Sequence, residues 1–197
     1  MTSPRCRVSL TLVAAAVLLG GCVTHIKTEI TQNHAPAENF AGFTRFELAK
    51  VALVAPYAGQ DANEHALVKI QENVSLKADP LLQGWNAAGA TVTPVRTLVI
   101  TPVVTEIKFI RVGVRLLAGA LPGSSAVILR VTFTEKETGQ VIASPLFYAR
   151  AAAMGGRWTF GTTDNLMLVR IADRFTDYLA ANYSAAVGGP TGAEPRK

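Results

Sequence analysis

The sequence predicts an α+β domain: a roughly four-stranded, mainly antiparallel sheet with two amphipathic helices, in the order β-α-β-β-β-α. Three observations carry that expectation. Val127, Leu129, Val131 and Phe133 alternate with Ile128, Arg130, Thr132 and Thr134, the two-residue period of a half-buried strand. Leu67, Ile70, Val74 and Ala78 recur at helical spacing and form one apolar face. Leu168, Ile171, Phe175 and Leu179 do the same near the C-terminus, with Arg170, Asp173, Arg174 and Asp177 on the wet side.

Each element follows from local chemistry. Val51 to Ala55 is a short β-rich run stopped by Pro56 and reads as a largely buried strand. Asp61 stands three residues before Glu64, a capping pattern that opens the first helix. Pro80 should end or kink that helix, Leu81, Leu82 and Trp85 should pack nearby, and residues 86–89 should form a turn. A long β-rich stretch, 97–112, follows; Pro102 should bulge it or place its start on an edge, and Glu106 and Lys108 give its second half one wet face. Residues 113–125 form an unusually apolar link. The alternating strand then turns at Glu137-Thr138-Gly139-Gln140, where Gly supplies a permissive backbone. Residues 141–150 return as its partner, with an irregularity expected at Pro145. Thr163-Asp164 caps the final helix.

The first 22 residues carry a different message. Arg5 and Arg7 precede an apolar run from Val8 to Leu19 that ends in small residues, the composition of a secretion signal. His25 and Lys27 cut the run short of the about 20 apolar residues that a membrane-spanning helix needs. The domain organisation expected is therefore a cleaved signal at 1–21, a lipidated Cys22 with a flexible tether over 22–44, one domain at 45–184 and a disordered tail at 185–197. About 20 extended residues of tether reach roughly 70 Å.

Composition narrows the rest. Removing Arg5 and Arg7 with the signal leaves 17 of the 19 basic residues against 14 acidic ones, a balance that gives no reason to expect nucleic acid as a partner. Cys6 and Cys22 are the two cysteines. Cys6 leaves with the signal and Cys22 takes lipid, so the mature domain has no disulfide and must be stabilised by its core. No cofactor and no metal are expected. His25 and His34 lie nine apart in a polar segment, and His65 shares an exposed helical turn with Asp61 and Glu64. The loop Gly155-Gly156-Arg157-Trp158-Thr159-Phe160-Gly161 lacks both the Lys-Ser/Thr of a phosphate loop and dinucleotide spacing. Ser124 and Ser125 lack a nucleophile-elbow setting, and Glu106, Glu135 and Asp164 sit at element ends, where a hydrolytic pair is hard to assemble. Arg111, Arg115, Arg157, Trp158 and Phe160 are candidates for contact with a partner or a membrane, although packing and solvation explain them more readily.

Leu19-Gly20-Gly21-Cys22 resembles the bacterial lipobox. The resemblance implies a diacylglyceryl thioether on Cys22, cleavage between Gly21 and Cys22, and further acylation of the new N-terminus. Val23, in place of an Asp, leans toward the outer membrane, facing the periplasm. Gly123-Ser124-Ser125-Ala126 leading into Val127 to Phe133, the turn Thr138-Gly139 and the Gly155-Gly156 loop complete a pattern similar to small Gram-negative envelope lipoproteins built on a domain of unknown function. That resemblance implies an α+β envelope domain and carries over no active-site residue. The expected role is a lipid-anchored, non-catalytic binding or assembly component of a transport or envelope complex, with envelope proteins as partners. The alternatives are a hydrolase of envelope polymers, and a carrier of an apolar or lipid ligand in a cavity beneath Leu116 to Leu121.

Overall fold

A computed structural model of the chain describes residues 26–109, 125–151 and 162–194, the last group with side chains from 165 onward. The elements in chain order are β1 (Gln32–Asn33), a 3-10 turn (Phe40–Gly42), β2 (Arg45–Leu48), β3 (Ala52–Leu53), α1 (Asp61–Gly89), β4 (Thr97–Lys108), β5 (Ala126–Glu135), β6 (Val141–Ala143), β7 (Leu146–Arg150), α2 (Thr162–Ala181) and β8 (Gly189–Pro190). The α+β class and the two helices agree with expectation. The strand count is higher, because both edges of the main sheet are broken into pieces.

β4 and β5 form the antiparallel centre of that sheet. On the free side of β4, β2 and β3 both run parallel to it, joined to it through α1. On the free side of β5, β6 and β7 both run antiparallel. The sheet is therefore mixed. The bulge falls between Val104 and Glu106, not at Pro102. Pro102 is tolerated because its outer side faces the gap between β2, which pairs up to Ile100, and β3, which resumes at Val103. Pro145 breaks the other edge as anticipated, and its carbonyl accepts from Val131 N–H at 3.0 Å. Gly139 in the hairpin turn has φ of 72°, the backbone that its lack of a Cβ permits.

Two elements depart from their local signals. The 51–55 run is not a largely buried strand. Val51 is buried, but Ala52 and Val54 are exposed, because β3 is an edge piece with a neighbour on one side. Pro80 does not end α1, which runs on through the expected turn to Gly89. Pro80 lies on the exposed face, where the carbonyl it leaves without a donor can be hydrated. The last turn brings the helix against β2. A Cβ on Gly89 would lie 2.2 Å from the carbonyl oxygen of Thr44, so this close approach requires glycine.

Both helices cover one face of the sheet. Ile70, Val74 and Ala78 of α1 and Met167, Ile171, Phe175 and Leu179 of α2 share a core with Leu98, Ile100, Val104, Leu129, Phe133 and Phe147. The two apolar stripes read from the sequence face this core, with Leu67 half-buried at its margin and Ala66 buried beside it. On the opposite face a smaller cluster unites Ala126, Ile128, Leu146 and Tyr148 with Ile26.

Ile26 introduces the main correction. The segment expected to be a flexible tether up to residue 44 is folded from residue 26. Ile26, Pro36, Phe40 and Phe43 are buried, with Phe40 fully enclosed and stacked on Phe133 at 4.9 Å between ring centres. β1 pairs with β8, which belongs to the expected disordered tail. Thr191 is fully buried there: its carbonyl accepts from Tyr148 N–H, and its own N–H donates to the carbonyl of Thr31. Asn182 fixes the turn before β8, its Oδ1 accepting from Val187 and Gly188 N–H while its Nδ2 donates to the carbonyls of Tyr178 and Gly188. Isolated apolar anchors and single polar contacts hold this strap, so it has no period to betray it.

Candidate functional site

The candidate contact residues Arg111, Arg115, Arg157, Trp158 and Phe160, together with Gly21 and the lipidation candidate Cys22, lie outside the described residues. The described fold nevertheless fixes where their segments attach. Lys108 at the end of β4 is in register with Ala126 at the start of β5, and Ala126 with Arg150 at the end of β7. Segments 110–124 and 152–161 thus both join the fold at one end of the sheet. Ile26 lies toward the same end, clustered with Ala126 and Ile128 at the start of β5 and with Leu146 and Tyr148 of β7.

This end has a definite construction. Ala126, Ile128, Leu146 and Tyr148 alternate onto the face away from the helices, and Ile26 closes over them. The Tyr148 hydroxyl donates to the carbonyl of Ile26 at 3.4 Å. Burial pushes the Tyr148 phenol above its ordinary range, an effect moderated by the Arg150 charge and reinforced by Glu194. Ser125 is fully buried, and its carbonyl accepts from Ala151 N–H, which ties the start of β5 to the end of β7.

The most connected charge cluster among the described residues lies elsewhere and has no local sign in the sequence. The Arg96 guanidinium binds Glu38 through two nitrogens, at 2.6 and 2.9 Å, and donates through Nε to Glu135 at 2.6 Å. It also lies over the Phe43 ring, 4.4 Å from its centre. Thr138 donates to the second oxygen of Glu135, and Glu137 accepts from Thr97 N–H. Two carboxylates, Glu38 and Glu135, therefore share one cation. Hydrogen bonds from Arg96 hold both Glu38 and Glu135 below the usual carboxylate range, with Thr138 adding to the effect on Glu135. Glu137 is lowered chiefly by its bond to the Thr97 backbone. Carboxylates held ionised in this way are poor proton donors at neutral pH. The cluster clamps the strap to the hairpin turn and to the start of β4.

Other sequence candidates are dispersed. His34 and His65 are both exposed, and Glu64 accepts from Gly59 N–H at the start of α1 instead of joining a ligand set. No group of three His, Cys, Asp or Glu side chains that could hold a metal occurs among the described residues. No helix among them is long and apolar enough to cross a membrane. A shallow cavity of about 300 Å³ is lined by Thr44, Arg45, Asn86, Gly89, Ala90 and Val95, where α1 meets β2. The Leu116 to Leu121 link, under which a ligand cavity was expected, lies outside the described residues.

Both edges of the sheet are closed by asparagine. Asn86 of α1 accepts from Phe46 N–H at 2.7 Å and donates to the Phe46 carbonyl at 3.1 Å, taking the place of a neighbouring strand beside β2. Asn33 does the same for Leu146 on β7, at 2.8 and 2.9 Å. Gln71 accepts from Val51 N–H, and Ala37 N–H donates to Ile142 O, which covers the remaining exposed backbone at those two points.

Neither a family model nor a curated protein matches this chain. Among solved structures, the chain is similar to the PelC dodecamer from Paraburkholderia phytofirmans at 15% identity and a TM-score of 0.37, over 71% of this chain and 91% of that one. A DUF330 protein from Xanthomonas campestris is similar at 13% identity and a TM-score of 0.36, over 69% and 81%. A hypothetical protein, CT253, from Chlamydia trachomatis follows at 13% and 0.34, over 69% and 93%. These likenesses are distant, and the functional reading rests on the chain's own residues.

Proposed function

We propose that this chain is a lipid-anchored protein of a bacterial cell envelope, attached through Cys22 at the outer membrane and facing the periplasm. Its α+β domain is a non-catalytic binding or assembly component of a transport or envelope complex, with envelope proteins as partners. The observation that carries the anchor is the apolar run closing on Leu19-Gly20-Gly21-Cys22. The non-catalytic role is supported by the use of the perturbed carboxylates: Glu38, Glu135 and Glu137 are spent on holding the strap, the hairpin turn and β4 together.

Membrane flotation followed by pulldown, comparing the natural chain with Cys22→Ser, tests the proposal. The natural chain should float with membranes and bring envelope proteins with it after mild crosslinking, whereas the substituted chain should stay soluble. A Cys22→Ser protein that floats unchanged would refute the anchor. Recovery of free monomer alone from crosslinked membranes would refute the assembly role.

A further inference from the structure

We infer that the end of the sheet formed by Lys108, Ala126 and Arg150 is the membrane-facing end of the domain, and that the hairpin turn at Thr138 to Gln140 points away from the bilayer. The inference deepens the proposal above and rests on Cys22 as the lipid-bearing residue. It follows from where the strap is fastened. Ile26 is seated against Ala126, Ile128, Leu146 and Tyr148, and its carbonyl accepts from the Tyr148 hydroxyl. Val23 to His25 alone separate Cys22 from that seat. Four residues of extended chain span at most about 14 Å.

The strap then runs away from that end along the β7–β6 edge. Asn33 is bonded to Leu146, Ala37 to Ile142, and Phe40 is buried on Phe133. β5 extends from Ala126 to Glu135, a rise of roughly 30 Å along the strand. A lipid at Cys22 can therefore reach the Ala126 end but not the hairpin turn. A free tether from Cys22 to residue 44 would have allowed any orientation. A strap fixed at Ile26 allows few.

The leash is covalent, so it holds this end at the membrane whatever the charge there: Lys27, Lys108 and Arg150 stand with Glu29, Glu106 and Glu194, and the two segments that join here add Arg111, Arg115 and Arg157. An orientation set by a short covalent leash should persist when salt is raised, unlike one set by a polybasic patch, whose attraction is screened within about 8 Å at physiological ionic strength.

The test separates orientation from biosynthesis. The mature chain from Cys22 is coupled through that thiol to maleimide-bearing lipid in phosphatidylethanolamine–phosphatidylglycerol vesicles, so bacterial acylation is not required. A fluorescent donor is placed through an unnatural amino acid at position 150, 130 or 140, one per sample, and acceptor dye is carried on lipid headgroups. Energy transfer should be highest from position 150, intermediate from 130 and several-fold lower from 140, in low and high salt alike. Equal transfer from all three, or highest transfer from 140, overturns the orientation. A gradient that vanishes in high salt overturns the leash as its cause. Ile26→Asp should weaken the gradient by freeing the chain as far as Ile30, whose carbonyl accepts from the Thr191 hydroxyl, while circular dichroism reports that the domain remains folded. An unweakened gradient in that folded variant would also refute the leash. Failure of Cys22 acylation in cells would appear in the flotation experiment and leave this measurement untouched.

Discussion

Replacing Phe40 with alanine asks whether the strap belongs to the fold. The ring has no exposed surface, stacks on Phe133 at 4.9 Å and lies 6.2 Å from Tyr178. Removing a buried phenylalanine side chain costs about 3–5 kcal/mol, combining lost transfer free energy with the cavity left behind. Loss of the aromatic stack is included in that range. The neighbours around this cavity belong to β5 and α2, two elements fixed by their own packing, so collapse is limited and the upper half of the range is expected. Against a typical total of about 5–15 kcal/mol, such a change is large. Urea unfolding of the chain from residue 26, followed by circular dichroism, should show a much lower midpoint with an unchanged slope. Ile30→Ala is the matched control in the same segment: its side chain is 53% exposed, and the expected change is within about 0.5 kcal/mol. A Phe40→Ala loss below about 1 kcal/mol would mean that the strap is a tether lying on a domain that folds without it.

Two other substitutions probe the polar contacts. Asn86→Ala removes both bonds to Phe46 and leaves a backbone N–H and C=O without partners beside β2, so a loss of about 2 kcal/mol is expected. Concentration-dependent light scattering should rise with it, because an open strand edge invites pairing with another chain; an unchanged urea midpoint and flat scattering would show that water replaces the asparagine without penalty. Arg96→Met should flatten the acid limb of stability. Glu38 and Glu135 are held below their ordinary value of 4.5 in the folded chain, so below that pH the unfolded chain binds more protons and acid favours unfolding. The natural chain's urea midpoint should therefore fall as pH drops through and below 4.5, and the Arg96→Met midpoint should fall less. Equal acid slopes would show that the clamp does not control these carboxylates.

The parts of the fold legible in the sequence are those with a period. The stripes of α1 and α2, the alternation of β5 and the glycine turn at 139 each repeat a local rule and lie where expected, except that Ile128, on the side of β5 expected to be wet, is buried in the second cluster. At Pro80 the local rule allows an end or a kink, and the helix does not end there because of the face on which the proline falls. A proline facing solvent costs a helix less than one facing the core, and burial is a tertiary property. The strap misled because its folded character rests on single residues with distant partners: Asn33 with Leu146, Phe40 with Phe133, Glu38 with Arg96. None of these has a sequence-local signature. Phe40 and Phe43, two aromatic residues in an otherwise polar stretch, were the one available sign.

The same strap joins anchoring to stability. A sheet edge that exposes its backbone must be covered, and here the cover on β7 comes from Asn33 of the strap and from Thr191, itself bonded to Thr31 of the strap. Asn33 replaces a neighbouring strand for Leu146, while Thr31 and Thr191 bridge to Tyr148. Tension applied at Cys22 would pass first to Ile26 and then to these bonds, which lie along the edge and share the load before Phe40 is reached. A detached strap would open the β7 edge at the moment the domain gained reach. Reach and a closed edge therefore exclude each other in this chain, and the folded strap favours a domain held close to the anchor proposed at Cys22.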